Sequence, residues 1–245
     1  VITGIVVALP EELDTLTARQ PGFKGGKKIA KGECLFINPD LAVVYSGAGP
    51  CNAKAAAEQL VSQGAERLIS WGCAAALSAA LRPGALVLAD DLISENGRRD
   101  ANSCVSQTWR AHVKGLLSAM VPVYQGALVE SARLVASSNE KHRLHAQTGA
   151  IAVDMESLAI ARIASRRQKA FLAIRAIADP VEMDLPKAVS YSLSEQGEVV
   201  LRRLILHLLR NPVELPGLVS LGLDFNVAKK TLKTVAKNLA QVIDF

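Results

Sequence analysis

Short, continuous apolar runs recur along this chain, each followed by a break and most by a helical pattern, and that alternation leaves few folds open to it. Residues 2–8 (ITGIVVA) begin the series, and 41–46 (LAVVYS), 67–72, 85–89 (ALVLA), 123–129, 149–153 (GAIAV) and 170–178 (AFLAIRAIA) continue it. Runs this short, apolar and rich in β-branched residues suit strands buried on both faces. Between them lie helix signals. Pro10 with Glu11 and Glu12 is a helix start, because proline fits the first turn and acids complement its dipole. Over 51–63, Ala53, Ala56, Ala57, Leu60 and Val61 share one face, and Gly64 ends the segment. Further helices are expected over 109–120, from near Asp154, and through most of the chain after Asp179-Pro180. The expected fold is a three-layer αβα arrangement around a central, twisted, mainly parallel mixed sheet. Residues 1–200 would form that domain, and 201–245 a helical C-terminal extension packed on or beside it.

The chain has 245 residues, half of them hydrophobic, which is enough for one large aliphatic core. Its four cysteines include no CxxC and no pair at metal-ligand spacing, so a reducing, cytoplasmic setting is expected. No basic region precedes the first strand, so no signal peptide is expected, and no apolar run has the length of a membrane span. Residues 24–32, rich in Lys and Gly, read as an exposed turn, and the polar segment 94–108 as a loop near an active site or a surface excursion. The formal net charge of +5 sits largely after residue 198. It reads as a solvated basic face, an acidic partner or an anionic membrane surface. The basic residues are not interleaved with aromatics, which argues against nucleic-acid binding. Ser46 to Gly49 lacks the third glycine of a dinucleotide fingerprint, so no such cofactor is expected.

In sheets of this type, ligands bind outside the carboxyl ends of the strands. That rule selects residues 9–12, 46–50, 153–156 and 178–180. Each holds chemistry: Glu11 and Glu12; Ser46, Gly47 and Gly49; Asp154, Met155 and Glu156; and Asp179. Taken singly, the acids could simply serve helix dipoles and the glycines a tight strand-to-helix turn. Their coincidence on one rim points to a site. The turn at 46–49 would suit an anion such as phosphate, because a helix start offers free N–H groups.

The segments GIVVALPEEL (4–13), VVYSGAGPCNAKAAA (43–57), WGCAAAL (71–77), RPGALVLAD (82–90), AVDMESLAIA (152–161) and RAIAD (175–179) together resemble the nucleoside phosphorylase and nucleosidase superfamily. The resemblance spans roughly residues 1–200. It implies cleavage of the bond between a purine and its ribose. On that resemblance Glu156 and Met155 bind the ribose, Asp179 protonates the purine, and Glu12 activates water. Ser46, Gly47 and Gly49 hold phosphate or water, and Cys73, Ala74, Val153 and Asp154 surround the base. No metal or organic cofactor is implied; phosphate is the one candidate co-substrate, and the partner is a small-molecule nucleoside. A homo-oligomer is also implied. Two departures stand out. Glu130-Ser131-Ala132-Arg133-Leu134 lies where relatives carry an aromatic for the base, and Gly72-Cys73-Ala74-Ala75-Ala76 replaces a Gly-Ser-Ala-Gly-Gly-like segment.

Beyond residue 200 the tail, with Asn211-Pro212 and Leu215-Pro216, resembles the hopanoid-associated branch, which is assigned the removal of adenine from adenosylhopane. In a helix expected over 225–243, Ala228, Leu232, Val235, Leu239 and Val242 share one face and lysines the other. Such a stripe in residues 223–243 could make peripheral membrane contact at the inner membrane surface or dock on the protein's own body. The other readings are a methylthioadenosine/S-adenosylhomocysteine nucleosidase and a noncatalytic nucleoside- or lipid-binding protein.

Overall fold

The computed structural model describes residues 1–17, 29–99, 105–192 and 201–244. Its strands are β1 (Thr3–Val7), β2 (Cys34–Asn38), β3 (Leu41–Tyr45), β4 (Arg67–Ala76), β5 (Leu86–Ser94), β6 (Val123–Glu130), β7 (Ala152–Asp154) and β8 (Ala170–Asp179). They form one sheet in the order β2-β3-β1-β4-β7-β6-β5-β8, with β4 also paired to β8. The long β4 has β8 beside it along nearly its whole length, with β1 beside its first part and β7 beside its end. The circuit β4-β7-β6-β5-β8 therefore closes on itself, while β2-β3-β1 extends from it as an open wing. Pairings β1–β3, β1–β4, β4–β8, β5–β6 and β6–β7 are parallel, and β2–β3, β4–β7 and β5–β8 antiparallel. The sheet is thus mixed and mainly parallel, as the alternation predicts.

The helices are α1 (Pro10–Thr17), α2 (Pro50–Ser62), α3 (Gln107–Leu117), α4 (Ser138–Thr148), α5 (Ser157–Arg166), α6 (Lys187–Ser192), α7 (Leu201–Arg210), α8 (Leu215–Lys237) and α9 (Leu239–Ile243). α2 packs on α5, and α8 lies along β8 and against α1. All five residues of β1 and of β3 are buried, as their uninterrupted apolar sequences require.

Several elements depart from the sequence reading. β4 continues through Gly72–Ala76, beyond the strand expected over 67–72; pairing with both β8 and β7 holds it extended. β2 was not expected, because it is a short edge strand with no fully buried residue. α4 was not expected either: only Lys141 and Leu144 of its residues are buried, so it carries no apolar stripe. The C-terminal helix begins earlier, at Leu215, and breaks at Asn238. Much of the Lys/Gly turn at 24–32 and of the polar segment 94–108 lies outside the described residues, as does Cys104.

The stripe Ala228, Leu232, Val235, Leu239 and Val242 is buried in the main core. Hydrogen bonds fasten it there. Thr231 Oγ1 donates to the Gly84 carbonyl at 2.7 Å, and Trp109 Nε1 to the Val242 carbonyl at 2.6 Å. The stripe from Ala228 onward therefore docks on the protein's own body, not on a membrane. No helix among the described residues is long and apolar enough to cross a membrane.

Candidate active site

A lone arginine in an apolar strand needs a counter-charge, and Arg175 in the middle of β8 has one. It is 2% exposed. Its Nη2 lies 2.7 Å from Asp154 Oδ2 and 3.5 Å from Glu156 Oε2, and donates to Ser70 Oγ at 2.6 Å. Its Nε donates to Ser157 Oγ at 3.3 Å. Burial opposes the guanidinium charge, but Asp154, Glu156 and Glu12 outweigh it and hold its pKa above the ordinary arginine value. Asp154 also accepts from the Ser157 N–H and hydroxyl. It is thus the anchor of Arg175 and the start of α5, in the interior. Val153 points away from it into a small second core with Leu77, Ile93 and Val129.

Glu12 approaches the same guanidinium from α1. Its Oε2 accepts from Ala8 N at 3.1 Å and Leu9 N at 3.0 Å, and its Oε1 from Cys73 N at 2.7 Å. A first-turn acid would ordinarily face water; this one is 2% exposed. Burial raises its pKa above the usual carboxylate value, with Arg175 and the three N–H donors opposing. The carboxylate fits only because residue 72 is glycine. A Cβ there would collide with Glu12 Oε1 and lie 2.6 Å from Arg175 Nη1. Burial, together with Glu12, pushes the half-buried Cys73 thiol well up, so it stays neutral. Ala74 is buried beside it on β4.

The turn Ser46–Gly49 leads into α2 through left-handed glycines, Gly47 at φ 78° and Gly49 at φ 101°. Its polar groups are turned to the protein itself. Ser46 Oγ donates to the carbonyls of Val7 at 3.1 Å and Gly47 at 2.8 Å, and Gly49 N donates to Glu156 Oε1 at 2.9 Å. The carboxyl group at this helix start is therefore that of Glu156. Burial, with Asp154 and Glu12 nearby, raises Glu156 to about 8 against the opposing pull of Arg175 and Gly49. Met155, half-buried, sits between the two acids.

Asp179 ends β8. Its register partner on β4 is Ala75, two residues beyond Cys73, so it lies about 7 Å farther along the strand pair than the Glu12 contact. A bulge in β8 precedes it. Its Oδ1 accepts from Lys141 Nζ at 2.7 Å, and its buried Oδ2 has no hydrogen-bond partner among the described residues. Burial raises its pKa to about 6, with Lys141 opposing. Lys141 is fully buried and also donates to the carbonyls of Pro180 at 3.0 Å and Met183 at 2.7 Å. All three ammonium protons are thereby used.

Asp154, Glu156, Glu12 and Cys73 thus surround Arg175, with Gly49 bonded to Glu156 and Asp179 beyond them on the same strand pair. Sequence reasoning missed Lys141, Ser70 and Glu130. Glu130 ends β6 opposite Asp154, accepts from Ala159 N at 2.7 Å, and is raised by burial to about 7. The strand-end rule, applied to β6, would have found it. Of two surface clefts of about 200 Å³, one lies between α2 and α5, lined by Pro50 and Glu130, and one lies apart, beside Glu95 and Glu140. The cluster is marked by its buried charge.

Comparison with known proteins gives one family and one fold. The model of the phosphorylase superfamily matches residues 2–206. No curated protein is matched. Among solved structures, the Helicobacter pylori 5′-methylthioadenosine/S-adenosylhomocysteine nucleosidase is 16% identical with a TM-score of 0.67, over 99% of this chain and 97% of that one. The futalosine hydrolase of Helicobacter pylori is 17% identical with a TM-score of 0.68, over 99% and 97%. The Neisseria meningitidis 5′-methylthioadenosine/S-adenosylhomocysteine nucleosidase, in complex with methylthio-immucillin-A, is 17% identical with a TM-score of 0.69, over 99% and 98%. The chain belongs to the phosphorylase superfamily and is an enzyme of that superfamily.

Proposed function

We propose that this protein hydrolyses the N-glycosidic bond of a purine nucleoside. The observation that carries the reading is the pair of buried carboxylates, Glu12 and Glu156, held around Arg175, with Asp179 and its unbonded oxygen farther along the same strands. Glu156, with Met155, takes the ribose hydroxyls. Asp179 gives its proton to the purine N7 as the C1′–N9 bond breaks and its electron pair passes to the base. Water adds to C1′ and yields its proton to Glu12. Solvent then restores the proton on Asp179 and removes that on Glu12.

Water rather than phosphate is favoured by the turn at 46–49, where Ser46 and Gly49 are already bonded to Val7, Gly47 and Glu156. The base we propose is adenine. The 5′ substituent we propose is bulky and apolar, as in adenosylhopane, on the resemblance of the tail. A second reading, a methylthioadenosine/S-adenosylhomocysteine nucleosidase, is supported by the similarity to nucleosidases that act on those compounds. Incubation with adenosine, methylthioadenosine and adenosylhopane, each with and without phosphate, separates them. Free adenine from adenosylhopane alone, accompanied by free sugar in both conditions, is the expected result. Release from methylthioadenosine without phosphate would establish the second reading, and a sugar 1-phosphate would make phosphate the nucleophile.

The two titrating groups set a narrow pH range. Asp179 must carry its proton, so turnover falls as pH rises through about 6. Glu12 must be ionised, so turnover also falls at acid pH, beginning above the ordinary carboxylate range. Lys141→Met removes the group that holds Asp179 down, and the alkaline limb of kcat/KM should move to higher pH. A folded variant with an unmoved limb would show that Lys141 does not act through Asp179.

A further inference from the structure

From Arg202 to Val227 no side chain is buried, although this stretch is rich in leucine, isoleucine and valine. α7 places Leu204, Ile205, Leu208 and Leu209 on one face. The first half of α8 presents Leu215, Val219, Leu223 and Val227 at four-residue intervals, all exposed. Leu209, near the end of α7, is 75% exposed, and Val213, between the helices, 85%. One residue after Val227 the helix changes character, and Ala228, Leu232 and Val235 are fully buried. α8 is thus docked along its second half and bare along its first. Exposed apolar side chains concentrated in one segment in this way mark a partner.

The charge around it indicates which partner. Residues 201–237 hold seven Lys and Arg (Arg202, Arg203, Arg210 and four lysines from Lys229) against two acids, Glu214 and Asp224. That excess equals the net charge of the whole chain, +5. Glu214 is moreover turned inward, accepting from Ala188 N at 2.8 Å and bonding His207 at 3.1 Å. The apolar ridge therefore has a cationic rim. A second copy of the chain would bring that rim against itself.

We propose that α7 and the first half of α8 dock the protein on an anionic lipid surface. The apolar side chains would enter the boundary between headgroups and acyl chains, and the arginines and lysines would meet the headgroups. This ridge is distinct from the stripe beginning at Ala228, which the core consumes. The ridge is tethered next to the site. Residues 180–186 join Asp179 to α6, Lys141 bonds the Pro180 and Met183 carbonyls, and Leu185 N donates to the Ala136 carbonyl at 2.7 Å. Delivery of a lipid-linked nucleoside to Asp179 rests on the proposed function; docking does not.

The test is co-sedimentation of the full chain with vesicles of phosphatidylcholine alone and with roughly one-third phosphatidylglycerol. The wild type should bind the anionic vesicles about tenfold more than the neutral ones, an advantage that added salt removes. The triple variants Leu209→Ser/Val213→Ser/Leu223→Ser and Arg202→Gln/Arg203→Gln/Arg210→Gln should both lose it. All six positions are exposed or lie on the polar face, so the fold is retained. No binding by the wild type, or equal binding by the serine variant, overturns the proposal. So does a wild-type dimer in solution that the serine variant breaks, since the ridge would then be covered by a second copy. Vesicle binding needs no turnover, so its outcome is independent of the reaction assigned.

Discussion

Asp179→Asn lowers kcat/KM for purine release by about 10²–10⁴-fold, the usual worth of a positioned general acid, while leaving stability nearly unchanged. The amide is nearly isosteric with the acid and can still accept the Lys141 ammonium through its oxygen, as Asp179 Oδ1 does at 2.7 Å. What it lacks is a proton to give. A purine leaves poorly as an anion, so the loss falls on bond breaking, and kcat should drop more than KM rises. The alkaline limb near pH 6 should vanish from the residual activity, because the group that produces it is gone. Steady-state kinetics over pH, with urea denaturation to confirm the fold, measure both effects. Wild-type turnover in this variant would remove Asp179 from the chemistry.

Arg175→Met destabilises the fold by about 3–5 kcal/mol, the cost of stranding buried charge. The guanidinium is the shared counter-charge of Asp154, Glu156 and Glu12, each of which is at most 5% exposed. Methionine fills much of the volume and supplies none of the charge. The loss should depend on pH. Without Arg175 the folded-state pKa values of Glu12 and Glu156 rise further, and a raised folded value stabilises at low pH and is lost as pH increases. The deficit against wild type should therefore shrink as pH falls toward about 4 and grow toward neutrality. Urea denaturation at a series of pH values reads this directly. A deficit that does not vary with pH would mean that packing, not charge, is what the arginine supplies.

The elements legible in the sequence are those whose burial is decided locally. β1, β3 and β8 are apolar on both faces, and α2 shows its buried face as a run of alanines. The pairing of Arg175 was legible too, because a single charge in an apolar strand demands a partner. What escaped the reading depends on contacts across the chain. Lys141 looks like an ordinary lysine on a polar helix; only the approach of α4 to Asp179, 38 residues later, makes it a buried cation. Glycine spacing at 46–49 suggested an anion site without disclosing that Glu156, 107 residues away from Gly49, supplies the carboxyl group there. In the tail, periodicity identified an apolar stripe but not what covers it. The stripe from Ala228 onward lies in the core, and the exposed apolar surface is the segment before it.

The most direct test of the central claim is purine release by the purified full chain from a panel of 5′-substituted adenosines, alongside Glu12→Gln and Glu156→Gln. Free adenine from at least one nucleoside, lost in both variants while their folds persist, is the predicted result. Adenine release unaffected by either substitution, or none from any nucleoside by a folded wild type, would contradict the assignment of this buried carboxylate cluster as the site of glycosidic cleavage.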